Sequence, residues 1–144
     1  MSGYFQIGIY FPKTSENIGT LWRSAYQLGA NSIFTIGKRY QKQSSDTCKT
    51  WKQIPLYNYE TFEEFYAMIP HDCKLVGIEM GGIKLSQFCH PQRAIYLLGA
   101  EDFGLPSKVL EKCHNIVSLE AINQNSYNVS TAGSIVMYSR VFGG

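Results

Sequence analysis

Hydrophobic residues along this chain form short β-rich runs that alternate with stretches of helical periodicity. The first run, Tyr4 to Phe11, has the length and the aromatic and β-branched content of a strand, and Pro12 ends it. From Glu16 to Leu28 the apolar residues recur at helical spacing, and Gly29 predicts the end of that helix. Ser32 to Gly37 reads as a second strand, and the strand–helix–strand spacing favours a parallel pair.

The predicted first helix has a polar start and one prominent charge. Ser15 precedes it and can cap its N-terminus. Gly19 lowers helix stability, which indicates that another backbone or a ligand approaches there. Arg23 lies off the apolar stripe, about one and a half turns after Asn17. The stripe predicted to be buried consists of Ile18, Leu21, Trp22, Ala25 and Leu28.

The remainder of the chain repeats this alternation. Residues 94–99 are nearly all apolar, as in a central strand buried on both faces. Further strands are predicted at 54–59, at 74–79 before a Gly81-Gly82 turn, and at 115–119, with helices at 61–69, 106–113 and 127–142. This order predicts a single α/β domain over residues 1–144, with a mostly parallel sheet flanked by helices.

Composition narrows the class of protein. Hydrophobic residues make up 44% of the 144 residues and charged residues 17%, which is typical of a globular domain. No apolar run reaches the length of a membrane span, and the first residues lack the pattern of a secretory signal, so we expect a cytoplasmic protein without a membrane partner. The four cysteines are widely spaced, which favours reduced thiols over a metal site or disulfides.

Charge adds one local feature. The net charge of +2 is too small to indicate nucleic acid by itself. The segment 38–52, however, carries five basic residues against one acid, Asp46, and Tyr40 and Trp51 lie among them. Phosphate contacts with base stacking and a solvated loop are both compatible with this pattern. The basic residues are Lys38, Arg39, Lys42, Lys49 and Lys52.

Three polar stretches carry more polarity than a core requires. The first is Asn17-Ile18-Gly19-Thr20-Leu21-Trp22-Arg23. The second is the glycine-bracketed turn Leu98-Gly99-Ala100-Glu101-Asp102-Phe103-Gly104-Leu105 after a buried strand. The third is Ser126-Tyr127-Asn128-Val129-Ser130, which opens the last helix ahead of the small residues at 132–134 that would let another helix approach. In an open α/β sheet such loops meet at the carboxyl ends of the strands, where ligands bind.

Taken together, these stretches resemble the three signature motifs of the SpoU/TrmH family of SPOUT methyltransferases. The order and spacing match, and the resemblance covers essentially the whole chain. It implies methyl transfer from S-adenosylmethionine to a ribose 2′-hydroxyl of RNA, with tRNA favoured over rRNA and no DNA or metal involved. It also implies a C-terminal deep trefoil knot that forms the cofactor pocket, and a homodimer.

The resemblance also implies roles for individual residues. Arg23, Asn17, Glu101, Ser126 and Asn128 match the catalytic positions of the three motifs. The cofactor pocket is implied to be lined by Ile78, Glu79, Leu98, Gly99, Ala100, Gly104, Leu119, Ser126 and Val129. RNA contacts are expected from Arg23, Lys38, Arg39, Lys49 and Lys52. Because a guanidinium is effectively always protonated, we favour Arg23 as a cation that stabilises the forming alkoxide, not as a base.

The chain departs from the family pattern at three places. Asp102 replaces a usual glycine, Ser118-Leu119-Glu120 stands where an Ile-Pro pair is common, and Tyr127 replaces a common leucine. A relative that binds RNA or S-adenosylmethionine without catalysis is therefore the alternative. A dinucleotide-binding Rossmann domain is disfavoured, because Phe11-Pro12-Lys13-Thr14 stands where a glycine-rich turn is needed. A base methyltransferase with a cysteine nucleophile would need a cysteine in or beside the motifs, where none occurs.

Overall fold

The apolar runs form the strands of one parallel sheet. The structure is a computed structural model, and it describes residues 3–37, 50–100, 103–123 and 126–143. The strands are β1 Tyr4–Tyr10, β2 Ser32–Ile36, β3 Leu56–Tyr59, β4 Lys74–Lys84, β5 Arg93–Leu98 and β6 Asn115–Ser118. Their spatial order is β3-β2-β1-β5-β4-β6, and each neighbouring pair runs parallel. The predicted α/β fold with a mostly parallel sheet is confirmed, and the knot stays a prediction.

Helices cover both faces of the sheet. They are α1 Ser15–Leu28, α2 Phe62–Ala67, α3 Ser107–Leu110 and α4 Val129–Phe142, with 3-10 turns at Thr50–Gln53 and Leu85–Gln87. One core contains residues of α1 and α4, and the other contains residues of α2 and α3. Successive residues of β5 point into opposite cores, with Tyr96 on the α1/α4 side and Leu97 on the other. This explains the unbroken apolar sequence of that strand.

Several element boundaries differ from those predicted. Thr14, not Ser15, caps α1, because its hydroxyl accepts the Asn17 N–H at 3.3 Å. Asn128 caps α4, so that helix begins two residues later than predicted. The Gly81-Gly82 turn does not end β4, because the strand shifts register and pairs with β6 again at Ile83.

Close packing against α1 fixes the position of the C-terminal helix α4. A Cβ atom on Gly133 would lie 2.4 Å from Leu21 Cδ1, so only glycine allows this approach. One residue further on, the Ser134 hydroxyl lies 2.9 Å from the Ser24 hydroxyl on α1. The small residues predicted to admit another helix therefore admit α1 of the same chain.

A buried arginine ties α4 to the amino ends of two strands. Arg140 is only 3% exposed, and its guanidinium donates to the carbonyls of Pro91 at 2.6 Å and Gln92 at 2.7 Å. It also lies 3.5 Å from the Tyr4 carbonyl and 4.9 Å from the centre of the Phe5 ring. Carbonyl oxygens and ring faces thus replace the water that this charge loses on burial. No local pattern in the sequence indicated this role.

His90 extends this contact into a chain of hydrogen bonds. Arg140 donates to the Tyr96 hydroxyl at 3.1 Å, which lies 2.7 Å from His90 Nδ1, and His90 Nε2 lies 3.0 Å from the Ser139 hydroxyl. A neutral His90 with its proton on Nε2 satisfies all of these groups at once. Burial, and secondly the nearby Arg140 charge, lower the pKa of His90 to about 4.

We predict that His90 makes the fold less stable as the pH falls from about 6.5 toward 4. In the unfolded chain histidine has a pKa of about 6.5, so in this window the unfolded state binds more protons. His90→Gln preserves an acceptor and a donor without titrating, and should flatten the dependence of the unfolding free energy on pH. Urea denaturation at pH 7, 5.5 and 4.5 measures this. His71→Gln, at an exposed position, is the matched control, and equal slopes in the wild type and the His90 variant would contradict the prediction.

Candidate functional site

Polar residues at the starts of α1 and α4 form a single cluster. Asn17 Oδ1 accepts a hydrogen bond from Asn128 Nδ2 at 3.1 Å, although the two residues are 111 positions apart. Asn128 Oδ1 in turn accepts the N–H groups of Ser130 at 3.0 Å and Thr131 at 3.2 Å, as a helix cap does. The first and third polar stretches of the sequence therefore meet through their amide side chains.

Ser130 belongs to this cluster and was not among the predicted site residues. Its hydroxyl lies 2.6 Å from Asn128 Oδ1 and 3.4 Å from Asn17 Oδ1, and the residue is buried. Ser130 is the second residue of α4, and it was included in the third polar stretch without an assigned role. Its proximity to Asn17 arises only when α1 and α4 come together.

The other predicted catalytic residues stand apart from this cluster or outside the described chain. Arg23 is exposed on α1, and six residues of helix place it about 120° around the axis from Asn17. Ser126 is exposed two residues before the cap of α4. Glu101 lies outside the described residues. The structure thus joins Asn17 with Asn128 and leaves Arg23 facing solvent.

Gly19, in the first polar stretch, has open space beside it. A Cβ atom at this position would meet no atom of the described chain within 4 Å. The close approach predicted from this glycine is therefore not made by any of the described residues.

The turn after β5 is closed by its own backbone. Ala100 and Gly104 exchange hydrogen bonds of 3.3 and 2.8 Å, and Gly104 has a φ of +64°. A Cβ atom on Gly99 would lie 2.8 Å from the Gly104 backbone, so both glycines are needed for this tight turn. Backbone at the end of β5 is thereby held against the start of the segment that leads to α3.

Glu79 connects that turn to the neighbouring strand β4. Its carboxylate accepts the Leu105 N–H at 2.7 Å and the Met80 N–H at 2.9 Å. The same carboxylate lies against Gly104, where a Cβ atom would be 2.0 Å from it. The resemblance implied that Glu79 lines the cofactor pocket, and in the structure its side chain joins β4 to the segment that follows the turn after β5. Ile78 and Leu98, which pair with each other in the sheet, are buried.

The segment after β6 is held by side-chain hydrogen bonds. The Ser86 hydroxyl and N–H both donate to the Glu120 carboxylate, and the Tyr127 hydroxyl donates to the Glu120 carbonyl at 2.6 Å. Glu120 and Tyr127 are two of the departures from the family pattern, and this last hydrogen bond joins them. The hydrogen bond from Ser86 lowers the pKa of the Glu120 carboxyl, so a negative charge is maintained beside Leu119.

One predicted RNA-contacting lysine lies next to α1. Lys52 is in the 3-10 turn Thr50–Gln53, and nearby the Trp22 indole on α1 donates to the Ile54 carbonyl at 2.9 Å. This bond fixes the end of the basic segment beside the helix that carries Arg23. Lys38, Arg39, Lys42 and Lys49 lie outside the described residues, so their role stays a prediction. Cys73, Cys89 and Cys113 form no disulfide within the described part of the chain, and Cys48 lies outside it.

The sequence profile of the SpoU rRNA methylase family matches residues 4–138. The chain belongs to the SpoU rRNA methylase family. The match covers all three polar stretches, including the Asn17–Asn128 contact. Among proteins with curated descriptions, none matches this sequence significantly. Within the described ranges, no helix is long and apolar enough to cross a membrane.

Solved structures share the fold of this SpoU family chain at low sequence identity. A structure of an S-adenosylmethionine-bound rRNA methyltransferase from Sinorhizobium meliloti has a TM-score of 0.85 and 19% identity over 99% of this chain and 58% of the other. The SpoU methyltransferase AviRb from Streptomyces viridochromogenes has a TM-score of 0.79 and 23% identity over 98% and 60%. A structure that concerns the 2-OH methylation of C/U34 on tRNA has a TM-score of 0.85 and 20% identity over 98% and 96%. The chain thus spans about three fifths of the first two relatives and nearly the whole of the third.

We predict that the Asn17–Asn128 contact can be separated from helix capping by substitution. Asn128→Ala removes the cap and should lower the unfolding free energy by about 1 kcal/mol. Asn128→Asp keeps a good capping oxygen but turns the donor that faces Asn17 into an acceptor, so α4 should be retained while the cluster loosens. Urea unfolding measures the first effect, and amide hydrogen exchange in the first turns of α1 and α4 measures the second. Equal loss of stability in both variants would contradict this separation.

Proposed function

We propose that this chain is an S-adenosylmethionine-dependent RNA methyltransferase that methylates a ribose 2′-hydroxyl, with tRNA as the favoured substrate class. The observation that carries the proposal is the contact of Asn17 with Asn128 and Ser130, because it assembles the first and third family motifs. The preference for tRNA draws support from the C/U34 tRNA neighbour, which this chain matches over 96% of its length. The rRNA methyltransferase from Sinorhizobium meliloti is matched over only 58%.

The strand ends at this edge fit S-adenosylmethionine in their chemistry. β5, β4 and β6 are neighbours in the sheet. Apolar Leu98 and Leu119 lie at the carboxyl ends of β5 and β6, and Ile78 of β4 pairs with Leu98, so these side chains suit an adenine ring. The exposed Glu120 carboxylate, whose pKa is lowered by the hydrogen bond from Ser86, suits a cationic ligand. The pocket implied by the resemblance would be completed by backbone of the second polar stretch, at Gly99, Ala100 and Gly104. The third polar stretch would contribute Ser126 and Val129. The cofactor, when bound, supplies an electrophilic methyl group on a sulfonium.

The protein's own part in this reaction is to position the attacking hydroxyl and to stabilise its developing charge. Methyl transfer requires the oxygen in line with the departing sulfur, so rigid positioning supplies much of the acceleration. Asn17 and Asn128, each fixed by the other, provide directed hydrogen bonds without charge. Arg23, which is exposed and makes no hydrogen bond or ion pair within the described ranges, is available to meet a phosphate or an alkoxide.

We predict one S-adenosylmethionine bound per chain in calorimetric titration, and transfer of its methyl group to ribose in tRNA. Arg23→Lys keeps the positive charge but loses the planar fork of donors, so cofactor affinity should be unchanged while transfer falls by about 10-fold or more. Calorimetry measures the affinity for the cofactor. Tritiated methyl incorporation into bulk tRNA, followed by nucleoside analysis for 2′-O-methyl products, measures the rate and the product of transfer.

Each outcome of this experiment separates two interpretations. Cofactor and RNA binding by the wild type without methyl transfer would favour the non-catalytic relative. Near-normal turnover by Arg23→Lys would remove any special role for the guanidinium. The matched control is Lys108→Arg on α3, an exposed cation outside the three motifs.

We further propose that the chain forms a homodimer through an apolar strip on α4. Tyr138 and Phe142 are 60% and 64% exposed, and their rings lie 5.1 Å apart, one turn from each other on the helix. Partly buried Ile135 precedes them on the same side. Exposed aromatic pairs of this kind favour burial in an interface between proteins. Sedimentation equilibrium should show a dimer in the wild type and dissociation in Tyr138→Asp, and a wild-type monomer at micromolar concentration would contradict the proposal.

A further inference from the structure

Phe11, at the end of β1, combines a strained backbone with an exposed ring. Its φ is +50°, the left-handed region that bulky residues avoid, and among the described residues no other non-glycine has a positive φ. Proline follows it, which restricts the residue further. The side chain is 44% exposed, so burial does not account for the strain. Strain that folding does not explain points to function.

The surroundings of Phe11 hold its ring in place. Its N–H donates to the Ile36 carbonyl at 2.7 Å, and its ring meets the Tyr10 ring edge to face at 4.7 Å between centres. The ring also covers Gly37, where a Cβ atom would lie 2.7 Å from a ring carbon. Gly37 has a φ of +112°, which again requires glycine. Two unusual backbone conformations therefore support one exposed aromatic side chain.

The position of this ring relates it to the candidate site. β1 lies beside β5, and Ile9 pairs with Leu98 in the sheet. Phe11 is two residues beyond Ile9, and Ala100 is two residues beyond Leu98. Phe11 thus follows the carboxyl end of β1, at the same edge of the sheet as the turn closed by Ala100 and Gly104, and its own contacts are with the end of β2. On the same chain it precedes Asn17 by six residues, with the Thr14 cap between them. A second aromatic, Phe103, follows the neighbouring strand and is 75% exposed.

We infer that Phe11 is a stacking platform for an unpaired base of the RNA substrate, at the same edge of the sheet as the proposed site of methyl transfer. The inference rests on the proposed function and deepens it. An aromatic face held rigidly at low entropy cost accepts any base by stacking, which is a recurring means of holding single-stranded RNA. The chain continues from Gly37 into Lys38 and Arg39, so the sequence that follows the supporting glycine has the charge expected next to a phosphate backbone.

Phe11→Gly tests this inference because glycine relieves the strain while it removes the ring. The melting temperature should be unchanged or higher, whereas affinity for RNA should fall by about 5- to 100-fold. The probe is a single-stranded RNA oligonucleotide containing 2-aminopurine, whose fluorescence is quenched on stacking, and bulk tRNA serves as competitor. Phe11→Tyr should restore affinity and quenching. Phe11→Asn, which tolerates the same backbone conformation, gives a second variant without the ring.

The controls distinguish a failure of this inference from a failure of the proposed function. S-adenosylmethionine titration should be the same for the wild type and all Phe11 variants, and Tyr66→Asn, an exposed aromatic on α2, should leave RNA binding unchanged. RNA binding by the wild type that survives in Phe11→Gly and Phe11→Asn would overturn the stacking role alone. Absence of both RNA and cofactor binding in the wild type would overturn the proposed function as well. Dissociation of a dimer in the Phe11 variants, with RNA affinity intact, would reassign the ring to a protein interface.

Discussion

The packing of α4 against α1 is the constraint on which the rest of this structure depends. Gly133 allows α4 to come within contact of Leu21, and the Ser134–Ser24 contact follows one residue further on. Once the helices are this close, the cap of α4 necessarily lies near the first turn of α1. The Asn17–Asn128 hydrogen bond is the polar end of this same contact. A side chain larger than glycine at position 133 would require Leu21 to shift in the contact between the two helices.

The two ends of the parallel sheet are stabilised in different ways. At the amino ends, Arg140 and His90 form a buried network in which each polar group has a partner. At the carboxyl ends, the turn after β5, the Glu79 carboxylate and the Phe11 ring form an edge that is rich in exposed and strained groups. Such a division is physically reasonable, because a binding edge must keep groups available to a ligand, and the opposite edge then supplies the stability.

Two of the departures from the family pattern, Glu120 and Tyr127, take part in fixing the same segment. Where relatives commonly place an Ile-Pro pair, this chain fixes the segment after β6 by hydrogen bonds, from Ser86 to the Glu120 carboxylate and from Tyr127 to the Glu120 carbonyl. Proline restricts the backbone by its ring, whereas this chain restricts it by side chains drawn from two other segments. The added charge at Glu120 is thus part of how the loop is held.

The sequence by itself determined the α/β class and the existence of each strand and long helix, because these follow from local periodicity. The ordered motifs, through their family resemblance, led us to expect Asn17 and Asn128 to act together, and in the structure the two side chains are in contact. It did not reveal the continuation of β4 past Gly82, the burial of Arg140 or the clamp formed by Glu79. Each of these depends on partners tens of residues away, which local patterns do not encode. The left-handed backbone conformation of Phe11 likewise had no signal in the local sequence. Local sequence set the elements, and long-range packing decided which side chains meet at the site.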